Sequence, residues 1–411
     1  MFRQSGLILS VVLAASLSAI AQNTSITAST NPPPAELAID QIKKTVVFLQ
    51  TSWLDLPPLS ASGAPNARPR FQQSVGTGFL IFVAIPELGK APSGLDRGVD
   101  FLVTAKHMIQ QETTDHQAGP YALKTTIRYN TLATVPGTDR HWDSFDAQIL
   151  DQRGDLAWFV DDLDPIADVA LTPIQLDQNA EFKTVGEESF AKKSVLTAQH
   201  VNENDELLFA GLFTGYFGAL KNYPIVRHGR LALMPGEDIA FECTKPDKKS
   251  QIYLAEVMSF GGNSGSPVFL RLGGIREGIG NNFVSGYSYF LLGLMKGFVS
   301  DEEAKQNTGI AMVVPVDKIN EVLAGDRVKA YFDSVVANDK TATGDLKSAE
   351  EKFREGIAIL EKQATDGSQL VATLRGYAAM LQKANRSEDA RSVLQKADKI
   401  ASQPVAKIPQ P

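Results

Sequence analysis

The chain of 411 residues is 43% hydrophobic, 8% aromatic and 21% charged, which supports a sizeable buried core and excludes a wholly disordered chain. Lys and Arg number 40 against 47 Asp and Glu, a formal charge of −7 without a long block of either sign, and this argues against nucleic acid as the main partner. The single cysteine, Cys243, excludes an internal disulfide and a thiolate zinc cluster; with no basic neighbour in sequence it reads as a packing residue.

Residues 1–21 read as a signal peptide: Arg3, an apolar stretch from Leu7 to Ile20, then Ala19 and Ala21 ahead of Gln22. The stretch is interrupted by Ser10, Ser16 and Ser18 and falls short of the ~20 residues a membrane span needs. An exported protein, periplasmic or secreted, is expected, with no membrane span once the signal is removed. Residues 22–35, with Pro32, Pro33 and Pro34, suit a flexible segment.

From 36 to 335 the chain reads as one β-rich domain. Short apolar runs at 45–50, 78–84, 101–104, 207–212, 252–257, 268–272, 289–295 and 310–314 alternate with Gly, Pro, Asn and Asp, the pattern of an all-β barrel or sandwich. The expected junction between its two halves falls near 180–200. A short helix is expected over 316–323, and the polar stretch 336–345 reads as a linker. In 346–401, Ala349, Phe353, Ile357 and Leu360, then Leu374, Ala378 and Leu381, then Ala390, Leu394 and Ala397 recur at helical spacing. This tail resembles a tetratricopeptide-type hairpin, with a generic helical extension as the alternative. It should bury its apolar face on the rest of the chain, on a protein partner or in an oligomer. A disordered end is expected over 402–411.

The strongest chemical signal is Gly261-Gly262-Asn263-Ser264-Gly265-Ser266-Pro267. A serine between glycines in a tight loop exposes its hydroxyl while backbone N–H groups converge, which suits an oxyanion site for acyl chemistry; a plain glycine-rich turn is the bland alternative. Ser266, followed by proline, closes the loop. A nucleophilic serine needs a base and an acid that orients it. His107 ends the apolar run 101–107 and Asp168 opens the run 167–171. His116, His141, His200 and His228 lie in more polar surroundings, and Asp161, Asp162 and Asp164 compete with Asp168 as loop carboxylates.

With these residues in place the chain resembles a trypsin-like (chymotrypsin-fold) serine peptidase. The order His107, Asp168, Ser264, spaced by 61 and 96 residues, is the order of that family. Gly76-Thr77-Gly78 resembles its Gly-Ser/Thr-Gly strand ahead of the histidine. Roughly Lys44 to Leu323 is covered. The resemblance implies two six-stranded antiparallel β-barrels followed by the small helical tail. It further implies a serine endopeptidase with catalytic His107, Asp168 and Ser264, an oxyanion hole from the N–H groups of Gly262 and Ser264, a peptide or protein substrate, and no metal or organic cofactor. Gly293 would border the substrate, and Met258, six residues before Ser264, would floor the primary specificity pocket and favour apolar residues on the acyl side of the cut. Two departures stand out. Lys106 replaces the usual small residue before the histidine, and Asn263 replaces the aspartate that animal enzymes pair with a new N-terminus. Asn263, the missing disulfides and the expected export bring the chain nearer the cysteine-poor bacterial branch that includes Do-like periplasmic proteases, but with helices where a PDZ-like segment would follow. The alternative is a catalytically silent module on the same fold that binds peptides and docks partners through its tail.

Overall fold

The structure, a computed structural model of the chain, describes residues 35–55, 70–112, 118–121, 124–150, 156–240, 249–274, 284–301, 306–363 and 367–402. The expected signal peptide, the segment 22–34, His116, Cys243 and the end from 403 lie outside them.

Two β units carry the fold. In the first, antiparallel strands run in the order Trp142–Ala147, Lys124–Asn130, Val46–Asp55, Arg70–Ala84, Gly98–Thr104, Ala170–Pro173 and Phe159–Val160, and Val185–Gly186 joins Arg70–Ala84 in parallel. The second is a closed six-stranded antiparallel barrel ordered Glu206–Gly211, Ile225–Leu233, Tyr253–Glu256, Gln306–Pro315, Val284–Asp301 and Pro267–Gly274. The mainly β architecture with a helical tail is as expected. The first unit departs in detail, since among the described residues its eight strands form a path that does not close.

Apolar runs without alternation are explained by burial on both faces of a strand. In Glu206–Gly211, Leu207 and Phe209 point into the barrel core, whereas Leu208 and Ala210 belong to the core shared with the first sheet. Along Pro267–Gly274, Val268, Leu270 and Leu272 fill the barrel while Phe269 faces the first sheet. The two β units therefore share one continuous apolar interface, which fixes them by packing rather than by a flexible joint.

Seven helices complete the described chain: α1 (Ala35–Lys44), α2 (Lys193–Ala198), α3 (Val316–Leu323), α4 (Asp326–Thr343), α5 (Leu346–Lys362), α6 (Gly367–Lys383) and α7 (Ser387–Ala401). The stretch expected as a linker is not one: helix α4 runs through it to Thr343 and closes on Gly344, whose φ of +90° is the left-handed cap that glycine adopts without strain. Its polar composition hid two inward positions. Ala337 is fully buried in the tail core, and buried Asp339 pairs with Arg97 at 2.6 Å. Asp345 then caps α5 by accepting from the Ser348 N–H at 3.3 Å.

Helices α4 to α7 enclose their own core around Phe353, Leu374, Leu381, Ala390 and Ala397. Helix α4 also docks on the first sheet, where the Tyr331 and Phe332 rings lie 6.2 and 6.0 Å from Phe101 and Tyr331 lies 5.9 Å from Phe159. Phe353 has no exposed surface and lies against α6 at Gly376, so near that a Cβ there would stand 3.0 Å from its ring. Phe353→Ala should therefore cost about 3–5 kcal/mol of tail stability, measured as a lowered urea midpoint by helix-sensitive circular dichroism; an unchanged midpoint would contradict this packing.

Candidate active site

His107 and Asp168, the expected base and acid, both come from the first sheet. Strand Gly98–Thr104 ends in a single 3₁₀ turn, Lys106–Met108, which buries Met108 and turns the His107 ring outward with its side chain 42% exposed. Asp168 lies just before strand Ala170–Pro173 with its side chain only 5% exposed. Its Oδ1 accepts the His107 backbone N–H at 2.9 Å and its Oδ2 lies 2.7 Å from His107 Nδ1. A carboxylate facing Nδ1 fixes that nitrogen as the N–H donor and makes Nε2 the lone-pair nitrogen.

Burial alone would raise the Asp168 pKa, but the His107 imidazole and backbone N–H, together with the Lys296 ammonium, outweigh it and hold the carboxyl well below the ordinary carboxylate range. The competing carboxylates are occupied elsewhere. Asp161 Oδ1 accepts the N–H groups of Leu163 and Asp164, each at 2.9 Å, and Asp164 Oδ1 accepts those of Ile166 and Ala167 at 3.1 and 3.2 Å. These turns shape the approach to Asp168. Lys106, the unusual residue before the histidine, donates its ammonium to the Pro165 carbonyl and so ties the histidine turn to the same loop.

Ser264 belongs to the barrel, in the loop that precedes strand Pro267–Gly274. The Asn263 N–H donates to Phe260 C=O at 3.1 Å across a four-residue turn whose third residue, Gly262, has φ +93°. A positive φ at that position is the mark of a type II turn and is foreign to type I; it sets the face on which the Gly261–Gly262 peptide presents its N–H. The neighbouring Gly265 N–H donates to Met295 C=O at 2.7 Å and the Ser266 N–H to Asn263 C=O at 2.9 Å. Among the described residues no carbonyl takes the N–H of Gly262 or Ser264. Asn263 is buried, and with its amide turned as its neighbours require it donates to Leu212 C=O at 2.7 Å and accepts from the Phe260 N–H at 3.0 Å. It braces the turn where an aspartate would need a cation.

Thr77 joins the two halves. Its N–H donates to Ser264 C=O at 2.9 Å and its hydroxyl to Gly262 C=O at 2.7 Å, while the same hydroxyl accepts the Leu212 N–H at 3.0 Å. Two glycines allow this approach. A Cβ on Gly76 would meet the Met108 side chain at 2.6 Å and Ser264 C=O at 3.3 Å, and one on Gly265 (φ +83°) would collide with Thr77 C=O and Thr104 Oγ1. Ser264 is thereby brought beside the turn that carries His107. Its hydroxyl donates to Lys296 C=O at 3.2 Å.

Lys296 was not singled out in the sequence. It occupies a β-bulge, where pairing of strand Val284–Asp301 with Gln306–Pro315 slips between Met295 and Gly297, and such bulges re-aim backbone groups beside sites. A lysine followed by glycine inside the apolar run 289–299 is the signal for it. Gly293, expected to border substrate, pairs with Val268 and Pro315, and a Cβ there would strike Val314 C=O; on that strand Lys296 is the residue bonded to Ser264. Met258 is 47% exposed, beside Gly309. His141 lies just before strand Trp142–Ala147, His200 in the turn after helix α2, and His228 on strand Ile225–Leu233. No group of three or more His, Cys, Asp or Glu side chains among the described residues could hold a metal ion.

No protein-family model matches the chain, and no curated protein does. Among solved structures, a variant of the HtrA-type protease AlgW with a decapeptide is similar over 72% of this chain and 66% of that one, at 13% identity and a TM-score of 0.38. The Grass clip serine protease of the Drosophila Toll pathway is similar over 76% of this chain and 77% of that one, at 11% identity and a TM-score of 0.35.

Two outcomes follow from the geometry. Thr77→Val leaves a buried N–H and C=O without partners and should cost about 1–3 kcal/mol, read as a lower melting temperature that Thr77→Ser restores. Asp168 titrates lower in the folded chain than in the unfolded one, so its stabilisation is fully present above the unfolded value of about 3.9 and is lost as pH falls below it. Melting curves of the native chain and Asp168→Asn should differ at pH 6 and converge toward pH 2.5; a gap that stays constant would refute the linkage.

Proposed function

We propose that the chain is a serine endopeptidase of the trypsin-like type. Ser264 Oγ attacks the scissile carbonyl, His107 Nε2 takes its proton and later returns it to the leaving amine, and Asp168 holds the imidazole and stabilises its charged form. In the resting arrangement the serine hydroxyl points to Lys296 C=O; rotation about χ1 delivers it to the imidazole. The N–H groups of Gly262 and Ser264 receive the oxyanion, a contribution of about 3 kcal/mol per donor in such sites. The observation that carries this reading is the double contact of one buried carboxylate with His107, beside a serine loop held in the type II form.

A polypeptide substrate is favoured by what flanks the serine loop. Thr214 packs against Gly262, and around it Phe213, Tyr216, Tyr223 and Phe260 are 40–59% exposed, with Tyr216 and Tyr223 stacked at 6.2 Å. Aromatic surface left in water beside a reactive group is suited to an extended, partly apolar chain. Met258, uncharged and open, supports apolar residues on the acyl side of the cut. We further propose export, on the signal-like residues 1–21; no described helix is long and apolar enough to cross a membrane.

Labelling with a fluorophosphonate probe tests the reading. The native chain should be modified at Ser264 and should hydrolyse peptides; His107→Ala and Ser264→Ala should each lose several orders of magnitude in turnover, and the double variant should be little worse than either. Well-folded protein that takes no label would point instead to a silent peptide-binding module.

A further inference from the structure

The segment 156–168, which ends on the acid, is held by the head of the C-terminal helices. Arg327 of α4 donates through Nη2 to Leu156 C=O at 2.7 Å and through Nη1 to Trp158 C=O at 3.2 Å, and its guanidinium lies 5.3 Å from the Phe159 ring centre. Gln369 of α6 in turn donates to Arg327 C=O at 2.8 Å. Farther along the segment, Lys318 of α3, its side chain 11% exposed, places Nζ 2.8 Å from both Asp164 Oδ2 and Glu321 Oε2. Ser250 Oγ donates to the same Asp164 oxygen at 3.0 Å. Asp164 is the residue whose other oxygen organises the turn leading to Asp168.

We propose that Lys318 and Arg327 are positioning residues for Asp168, so that the first helices of the C-terminal segment keep the acid in register with His107; this rests on the reading of His107 and Asp168 given above. Between Val160 and Ala170 the chain has no strand pairing to fix it, yet both oxygens of Asp168 must meet one residue at 2.7 and 2.9 Å. Hydrogen bonds at these lengths tolerate displacements of only a few tenths of an ångström. Side-chain anchors must therefore supply what the ladder does not, and the contacts of α3 and α4 described above fall at both ends of this segment. A cross-link that merely held the tail on would have no reason to end on the turn before the acid. Lys318 faces Asp164 and Glu321, with Asp161 close to Glu321, and Asp168 faces His107 and Lys296. Burial opposes charge on Lys318, but Asp164 and Glu321 outweigh it and keep the ammonium charged throughout the physiological range.

The experiment follows the His107 imidazole by NMR titration in the full chain, alongside kcat and KM on a peptide. Lys318→Met should lower the His107 midpoint by about one unit, because the imidazolium loses part of its carboxylate partner, and should lower kcat about 10- to 100-fold with KM within twofold. Lys318→Arg, which restores a donor to Asp164, should recover both. If Lys318→Met does not fold, Arg327→Met and Ser250→Ala carry the same readouts. A His107 midpoint and kcat unchanged in Lys318→Met would overturn the proposal. The midpoint is read with or without turnover, so a native chain that hydrolyses nothing would refute the peptidase reading, while a shifted midpoint would still support the positioning role.

Discussion

One buried threonine holds the site together. Ser264 belongs to the closed barrel and His107 and Asp168 to the open sheet, so neither β unit holds all three candidate residues. Thr77 crosses between them with no exposed surface, bonding its N–H to Ser264 C=O, its hydroxyl to Gly262 C=O and Leu212 N–H, and its own C=O to Thr104 Oγ1 at 2.8 Å. Every one of these groups is lost to water, and an unmade bond at such a depth costs about 1–3 kcal/mol. The interface is thus pinned in one register. Gly76 and Gly265 are glycines because the contact is too close for any side chain.

Charge is arranged around that junction in two layers. The inner layer is Asp168 with His107 and the Lys296 ammonium; the outer is Asp164 with Lys318 and Ser250. An ionised carboxylate that is nearly inaccessible to water survives only when its oxygens are satisfied and cations stand close. Both conditions are met at Asp168, whereas His107 stays open to solvent and to any bound chain. Within one hydrogen-bonded pair the carboxylate is thus shut off from water while the imidazole keeps access to it.

The sequence was legible where burial and chemistry coincide. All eight apolar runs fall on strands, and His107, Asp168 and Ser264 each follow or precede a buried strand, with His107 and Asp168 in contact and the Ser264 loop tied to the first sheet through Thr77. Strands Lys124–Asn130 and Ile225–Leu233 were not read, for different reasons. The first alternates cleanly, but its buried positions are Thr125, Ile127 and Tyr129, so polarity masks the period. The second has a single buried residue, Leu231, and owes its place to pairing with Glu206–Gly211 and Tyr253–Glu256 rather than to its own apolarity. Lys296 escaped notice because both its roles, a carbonyl at a bulge that meets Ser264 and an ammonium near Asp168, depend on strand register rather than on its sequence context. The polar run 336–345 was misread for the same kind of reason: Asp339 is polar but paired, and composition alone does not distinguish a solvated carboxylate from one buried against Arg97.

The position of the helices gives the last step. A tail that only recruited partners could hang from any surface, yet α4 places Tyr331 and Phe332 against Phe101, on the strand that leads to His107, and Tyr331 also against Phe159, on the segment that leads to Asp168. Strand Gly98–Thr104 and strand Ala170–Pro173 are paired neighbours, and α4 packs on the sheet they share through Phe101 and Phe159. The helical core around Phe353 is thus joined to the first sheet by the aromatic contacts of α4 and by Arg327, while Lys318 of α3 adds a separate anchor at Asp164. The open face of the site is left to the aromatic loop around Tyr216, which packs its Phe217 ring on Phe48 at 6.3 Å while its tips remain in water. Packed support behind His107 and Asp168 thus stands against exposed aromatic surface beside the loop of Ser264.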